Sequence, residues 1–209
     1  MGVLGLVIGK SAAGKSTSLI NFGMGEAAIY GVTGKRLPFR IPLEVHRNAT
    51  YADIYRALKE NKSKVYVVDD STYLMQFDNF RRAREKGFDK FVEMAVNFET
   101  LLDAAMKTSE DTSVYFLHHP QFSDDGSAKP QTVGKMIDNQ LYMEGLFDMI
   151  LECGVVDGKH VFFTNEHNIA KTPLGMFDEQ MIPNDLYLVD KTMRAFWGMA
   201  PLRGGRNEA

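Results

Sequence analysis

Nine consecutive residues near the amino terminus combine small side chains with two lysines and three hydroxyl groups. They fit the pattern G-x-x-x-x-G-K-[ST], in which small residues let backbone N–H groups approach and point at a phosphate. Lys15 is expected to reach the β- and γ-phosphates of a nucleotide, and Ser16 to ligate Mg²⁺ with Thr17 behind it. We call this segment the glycine-rich loop, and its members are Gly9, Lys10, Ser11, Ala12, Ala13, Gly14, Lys15, Ser16 and Thr17.

A pair of acidic residues follows an apolar run further along the chain. The run Val65 to Val68 is followed by Asp69 and Asp70, so a buried strand should deliver both carboxylates to one edge of a sheet. Asp69 is expected to hold the Mg²⁺ shell, usually through water. The alternative interpretation is that the pair only caps the next helix.

Hydrolysis of a phosphate bond also needs a group that orients or deprotonates the attacking water. Asp70 is the nearest candidate in the sequence, and Glu44 is the alternative if its segment folds back on the sheet. His118 and His119 end another apolar run, and since neighbours on a strand face opposite sides, one of them should face the phosphates. A polar group there can sense the γ-phosphate. The simpler interpretation is a satisfied histidine at a strand end.

These candidates require strands that end at one common edge. Apolar runs alternate with helical patterns through roughly the first 120 residues, which favours an α/β fold with a mostly parallel, doubly wound sheet. The histidine strand is expected beside the first strand, and the later strands are expected to add an antiparallel extension at one edge. The predicted strands are Val3–Ile8, Ala27–Val32, Lys64–Asp69, Ser113–His118, Asp148–Gly154, Lys159–Thr164 and Leu186–Val189.

Helices and irregular segments fill the intervals between these strands. The predicted helices are Ser16–Met24, Tyr51–Asn61, Thr72–Lys86, Asp89–Lys107, Lys135–Glu144 and Lys191–Gly198. The predicted irregular segments are Lys35–Arg47, which could also be an edge hairpin, and the long loops Pro120–Pro130 and Asn165–Pro183. We expect a single domain over residues 1–200 and a frayed tail over residues 201–209.

Composition narrows the class of protein. Hydrophobic residues make up 44% and charged residues 24% of the 209 residues, as in ordinary soluble domains. The formal net charge of -3 argues against a protein that coats DNA through a global basic field. Cys153 is the one cysteine, which favours a reducing cytoplasm. The apolar amino terminus is too short to span a membrane.

Five motifs in sequence order resemble those of phage-encoded RecA-like ATPases, of the kind associated with single-strand annealing. They are GKSAAGKST, VYVVDDST, VYFLHHPQF, VGKMID…GLFDMILEC and AKTPLGMF, and together they cover most of the chain. The resemblance implies a RecA-like P-loop core that uses ATP and Mg²⁺. It also implies a ring or filament of identical subunits that works on single-stranded DNA, with a single-strand-binding protein as a partner. It identifies His119 as the γ-phosphate sensor and His119–Lys135 as a DNA-facing loop.

The chain departs from that family just after the second predicted strand. The family usually carries a catalytic glutamate there, whereas this chain reads Tyr30–Lys35 without an acid. The role of the base therefore falls on Asp70 or Glu44. Lys135 or Lys171, in or after the long loops, could reach the phosphates of a neighbouring subunit as a finger does.

Three other classes of protein share parts of the pattern. Lys10 has the spacing of the signature lysine in the deviant loops of partition ATPases, although Ser11 and Ala12 replace the glycines expected there. A nucleotide kinase would need an arginine-rich lid, which the loop Asn165–Pro183 lacks; Arg36, Arg40 and Arg47 could still bind a substrate. The third class is a nucleotide switch that does not hydrolyse ATP.

Overall fold

An eight-stranded sheet forms the centre of the protein. The structure is a computed structural model that describes residues 1–40, 43–134 and 142–202. The strands are β1 (Val3–Ile8), β2 (Ala28–Gly31), β3 (Val45–Arg47), β4 (Val65–Asp69), β5 (Ser113–His118), β6 (Pro120–Phe122), β7 (Ala128–Pro130), β8 (Met149–Val156), β9 (Lys159–Phe163) and β10 (Met181–Pro183). The α-helices of the described residues are α1 (Tyr51–Glu60), α2 (Thr72–Arg81), α3 (Asp89–Met106) and α4 (Leu186–Trp197).

The strand order in the sheet is β10-β9-β8-β1-β5-β4-β2-β3, and β6 and β7 form a separate hairpin. The six strands from β8 to β3 are parallel, whereas β9 and β10 are antiparallel. This arrangement confirms the predicted α/β fold with an antiparallel addition at one edge. The histidine strand β5 lies beside β1 as expected, with His118 opposite Ile8.

Both faces of the sheet are covered. Because successive side chains on a strand point to opposite faces, Leu6 and Ile8 of β1 enter one core and Val7 enters the other. The first core lies under α1, α2 and α3, and the second lies under α4 and the segment that follows the glycine-rich loop. The strands therefore end in fixed positions, which is what a site at their carboxyl edge requires.

Caps explain where two of the helices begin. Thr50 and Asp53 form a reciprocal capping box at the start of α1. At α4, the Asp185 carboxylate accepts hydrogen bonds from the N–H groups of Tyr187 and Leu188.

The predicted strand Leu186–Val189 is wrong, because these residues form the first turn of α4. Leu186, Val189 and Met193 are buried at helical spacing, and this period outweighs the short apolar run.

Three other segments differ from the sequence predictions. The helix predicted over Ser16–Met24 is only a 3-10 turn, Ser16–Leu19. The stretch Lys35–Arg47 ends in the parallel edge strand β3 rather than in a hairpin. The loop Pro120–Pro130 contains the β6–β7 hairpin. Most of the predicted helix Lys135–Glu144, with Lys135 itself, and most of the tail from residue 201 lie outside the described residues.

Within the described part of the chain, none of the helices has the length and apolar character needed to cross a bilayer.

Candidate functional site

The glycine-rich loop follows β1 directly, and its glycines stand where larger residues would collide. A Cβ on Gly9 would lie 2.7 Å from the Cβ of Cys153. A Cβ on Gly14 would lie 3.0 Å from the His160 ring, and Gly14 has a φ of 106°. Ala12 is also left-handed, with a φ of 63°. Glycine is therefore required at both ends of the loop by close packing and, at Gly14, by backbone geometry.

The loop presents donors without acceptors. The backbone N–H groups of Gly14, Lys15 and Ser16 donate to no other group in the residues that the structure describes. The Lys15 ammonium is 6% exposed and donates to the carbonyl oxygens of Gly9 at 2.7 Å and Lys10 at 3.1 Å. Burial lowers the pKa of Lys15, although nearby acidic groups oppose this shift. This cradle of N–H groups with a buried ammonium is suited to an anion.

One hydrogen bond joins the loop to the acidic pair. Ser16 Oγ donates to Asp69 Oδ1 at 2.9 Å, although the two residues are separated by 53 positions in sequence. Burial and the neighbouring Asp70 raise the pKa of Asp69 to about 6, against the hydrogen bond from Ser16. A hydroxyl beside a buried carboxylate fits a hard cation such as Mg²⁺, which takes few protein ligands.

The Asp70 side chain makes contacts that differ from those of Asp69. Its backbone is left-handed, with a φ of 61°, and its Oδ2 accepts a hydrogen bond from Thr33 Oγ1 at 2.6 Å. Lys35 Nζ lies 3.7 Å from Oδ2, and His119 Nε2 lies 3.6 Å from Oδ1. Burial alone would raise the pKa of Asp70, but the contacts with His119, Thr33 and Lys35 lower it to about 2. The surroundings therefore favour the protonated form of Asp69 and the ionised form of Asp70.

The two adjacent histidines have different surroundings. His118 is fully buried between Ser71 Oγ, 2.9 Å from its Nδ1, and the carbonyl oxygen of Gln131, 2.8 Å from its Nε2. Burial lowers the pKa of His118 to about 4. His119 faces the loop instead, with its Nδ1 3.4 Å from Lys15 Nζ. The structure therefore places His119, which the family resemblance identified as the γ-phosphate sensor, between the loop lysine and Asp70.

Other sequence candidates lie elsewhere. Glu44 is exposed just before the amino end of β3, whereas the glycine-rich loop follows the carboxyl end of β1. Because β3 runs parallel to the strands of the site, the predicted role of Glu44 as a base is not supported. Lys171, the other candidate finger, is half-buried, and its backbone bridges to Ile150 of β8. Lys10 is exposed, with its Nζ 4.7 Å from the ring centre of Phe122.

Four residues of the site were not predicted from the sequence. Thr33 and Lys35 lie in the stretch after β2 that was noted only for lacking an acid. His160 Nδ1 lies 3.1 Å from the carbonyl oxygen of Ala13 and packs against the loop from the far hairpin. Asn184 Oδ1, next to Gly14, is buried without a hydrogen-bond partner among the described residues. No local pattern marks the last two, because their contacts depend on the β9 and β10 addition.

Comparisons with known proteins do not identify the function of the chain. No protein-family model matches the chain, and no curated protein matches it. Among solved structures, the chain is similar to the X-ray structure of the Legionella pneumophila ATPase DotB, with a TM-score of 0.38 and 10% sequence identity. The match covers 98% of this chain and 54% of the DotB chain, so this chain spans about half the length of that protein. A likeness at this TM-score carries no argument about activity.

Proposed function

We propose that the chain binds ATP with Mg²⁺ at the glycine-rich loop and hydrolyses it. The observation that carries this proposal is the 2.9 Å hydrogen bond between Ser16 and Asp69. It joins the loop after β1 to the acid after β4, with the buried Lys15 alongside. A phosphate cradle and a metal-binding carboxylate thus meet at one edge of the sheet, as phosphoryl transfer needs.

The loop residues provide binding. Lys15 now donates to carbonyl oxygens of its own loop, and a phosphate oxygen is a stronger acceptor because it is charged. The N–H groups of Gly14 and Ser16 point to the same anion. Ser16 and Asp69 would hold Mg²⁺, which would neutralise the charge that develops on the phosphates.

Asp70 and His119 provide the remaining chemistry. Asp70 is ionised over the physiological pH range, because its pKa is lowered to about 2, so it can accept a proton from water or orient it. His119 lies between Lys15 and Asp70, at 3.4 Å and 3.6 Å. It therefore contacts both the group that holds the phosphate and the group that acts on water. This placement supports a role for His119 as the γ-phosphate sensor.

The test is the rate of phosphate release from ATP and Mg²⁺ by the purified chain. We expect Lys15→Ala to lower this rate by about 10²–10³-fold, as for loss of one transition-state donor, with the fold intact by circular dichroism. Lys59→Ala, at an exposed lysine on α1, is the matched control and should keep wild-type turnover. Wild-type turnover in Lys15→Ala would overturn the assignment of the site.

A nucleotide switch is the second candidate function. It is favoured by the contacts of Asp70, whose carboxylate is already occupied by Thr33, Lys35 and His119, and by the lack of an acid after β2. A switch would bind ATP and Mg²⁺ as tightly as an ATPase does. Its phosphate release would be no faster than that of Asp70→Asn, whereas an ATPase should exceed that variant.

We further propose a RecA-like ATPase of phage type that acts in DNA recombination or replication on single-stranded DNA. The five-motif resemblance supports this proposal, together with the position of β5 between β1 and β4. Identical subunits would assemble as a ring or filament. Stimulation of phosphate release by single-stranded DNA, with light scattering to measure the assembly, is the test. A rate that ignores DNA in a monomeric protein would contradict it.

A further inference from the structure

A cavity at the β3 edge of the sheet is lined by three arginines. It measures about 560 Å³ and contains the side chains of Arg36, Arg40 and Arg47. Among the residues that the structure describes, no acidic side chain lines it. In the described part of the chain, none of the three guanidinium groups lies within ion-pairing distance of a carboxylate. Like charges that share a cavity repel one another, and an anion bound among them would remove that cost.

Packing holds this segment in place. Leu37, Phe39 and Leu43 are half-buried and pack against the core that lies under α4. Leu37 and Phe39 lie between Arg36 and Arg40 in the sequence, so anchoring them fixes the backbone from which the two exposed arginines extend. The guanidinium group suits phosphate in particular, because its planar set of donors matches two phosphate oxygens.

The cavity opens beside the nucleotide site. Arg47 ends β3 opposite Gly31, and Gly31 lies opposite Asp69 in the next pair of strands. Arg36 directly follows Lys35, whose ammonium contacts Asp70. Arg47 therefore lies at the same edge of the sheet as the acidic pair, and one peptide bond connects Arg36 to Lys35, a contact of the site.

The segment that the family resemblance assigned to DNA has a different charge. The turn of the β6–β7 hairpin carries Asp124 and Asp125, both exposed. Negative charge at a tip is unfavourable for contact with a phosphate backbone. Arg36, Arg40 and Arg47 therefore make their cavity better suited to a polyanion than the tip of this hairpin is.

We propose that this arginine pocket binds phosphate groups, carried either by a single-stranded nucleic acid or by a second nucleotide. The phosphates occupy the space between the three guanidinium groups, next to the ATP site. The proposal goes beyond ATP hydrolysis and does not depend on it, because binding is measured without ATP.

The test is fluorescence anisotropy of a labelled oligodeoxythymidylate with the full chain, without ATP, at several salt concentrations. We expect Arg36→Ala/Arg47→Ala to weaken binding at least about tenfold and to reduce the salt slope by about 2, one for each lost phosphate contact. Arg81→Ala/Arg84→Ala removes the same charge from exposed positions near the end of α2 and should bind as the wild type does. Melting curves verify folding, and the corresponding Gln variants replace any alanine variant that fails.

Competition distinguishes the two sources of phosphate. Displacement of the oligonucleotide by millimolar nucleoside monophosphate, with the same loss in the pocket variant, identifies a nucleotide ligand. Resistance to the monophosphate identifies a nucleic acid. Equal weakening in both double variants would mean general electrostatic attraction and would overturn the pocket. A wild-type chain that binds neither probe would overturn it as well.

Discussion

The two edges of the sheet both contain buried charges, but only the amino edge has a complete set of partners. There Arg194 and Asp190 of α4 are 1% and 0% exposed and form an ion pair at 2.6 Å. All five N–H groups of the Arg194 guanidinium donate. Their acceptors are the Asp190 carboxylate, the hydroxyl oxygen of Ser113 and the carbonyl oxygens of Lys64, Asp111 and Ala200.

At the carboxyl edge, neither Lys15 nor Asp69 forms an ion pair among the described residues. Lys15 donates to carbonyl oxygens of its own loop, and Asp69 has a raised pKa because it is buried next to Asp70. Ala12 and Asp70 adopt left-handed backbone conformations. Strain and unmatched charge are characteristic of functional sites.

The difference shows how one sheet serves two purposes. The closed network ties α4 to the starts of β4 and β5 and fixes the strands. Rigid strands then hold groups at the other edge that are only fully satisfied by a ligand. We therefore expect mutations at the amino edge to act on stability and those at the carboxyl edge to act on turnover.

The largest expected effect is on stability at the amino edge of the sheet, which we call the closed edge because its buried charges are paired. Arg194→Met leaves the Asp190 carboxylate buried without its cation and should lower the free energy of unfolding by about 3–5 kcal/mol. Urea denaturation measures this change. Arg82→Ala is the control, since Arg82 pairs with the half-exposed Glu85 and the exposed Glu93, and it should lower the free energy of unfolding far less. Similar losses in the two variants would contradict the comparison.

The second prediction concerns pH and the buried His118. Its folded pKa of about 4 lies below the usual value of 6.5, so the unfolded chain takes up the proton first as pH falls. Stability is therefore complete above about pH 6.5 and is lost towards pH 4, by about 3 kcal/mol from this group. Urea denaturation at each pH, for wild type and His118→Asn, measures it. An equal acid dependence in the variant would show that other groups cause the loss.

The third prediction separates binding from chemistry at the carboxyl edge of the sheet, which we call the open edge. Asp70→Asn should lower phosphate release by about 10²-fold, because the amide cannot accept a proton from water. Affinity for ATP and Mg²⁺, measured by calorimetry, should stay near wild type, since Ser16 and Asp69 are untouched. A variant that loses affinity as strongly as turnover would place Asp70 among the binding groups.

Much of the open edge could be predicted from the sequence, because its signals are local. The glycine-rich loop and the acids after an apolar run are contiguous, and strand alternation restricts the histidine pair to one candidate facing the loop. The sheet order then follows from rules of connection. Thr33 and Lys35 could not be found in this way, since their contact with Asp70 spans strands.

The closed edge was less accessible to prediction, for a physical reason. Arginine is mostly exposed in proteins, so nothing in the sequence marks Arg194 as fully buried. The apolar run from Leu186 to Val189 was interpreted as a strand, which hid the i, i+4 relation of Asp190 and Arg194 on one helix. Only the packed helix brings these two side chains to the strand ends.

The smallest expected effect tests how Asp70 is held ready. Thr33→Val removes the 2.6 Å hydrogen bond to the carboxylate, which should cost about 1 kcal/mol of stability. That bond lowers the pKa of Asp70, so its loss raises this pKa and moves the acid limb of the turnover profile to higher pH. Thr33→Ser keeps the hydroxyl and should leave the acid limb in place.

Lys35→Met completes this test. Lys35 is 68% exposed and lies 3.7 Å from the carboxylate, so solvent screens its charge and the acid limb should move less than in Thr33→Val. The measurement is phosphate release as a function of pH in the three variants. If Lys35→Met moved the limb further than Thr33→Val, the charge of the loop after β2, rather than its hydrogen bond, would control Asp70. The open edge would then be tuned by long-range electrostatics, whereas the closed edge depends on direct contacts.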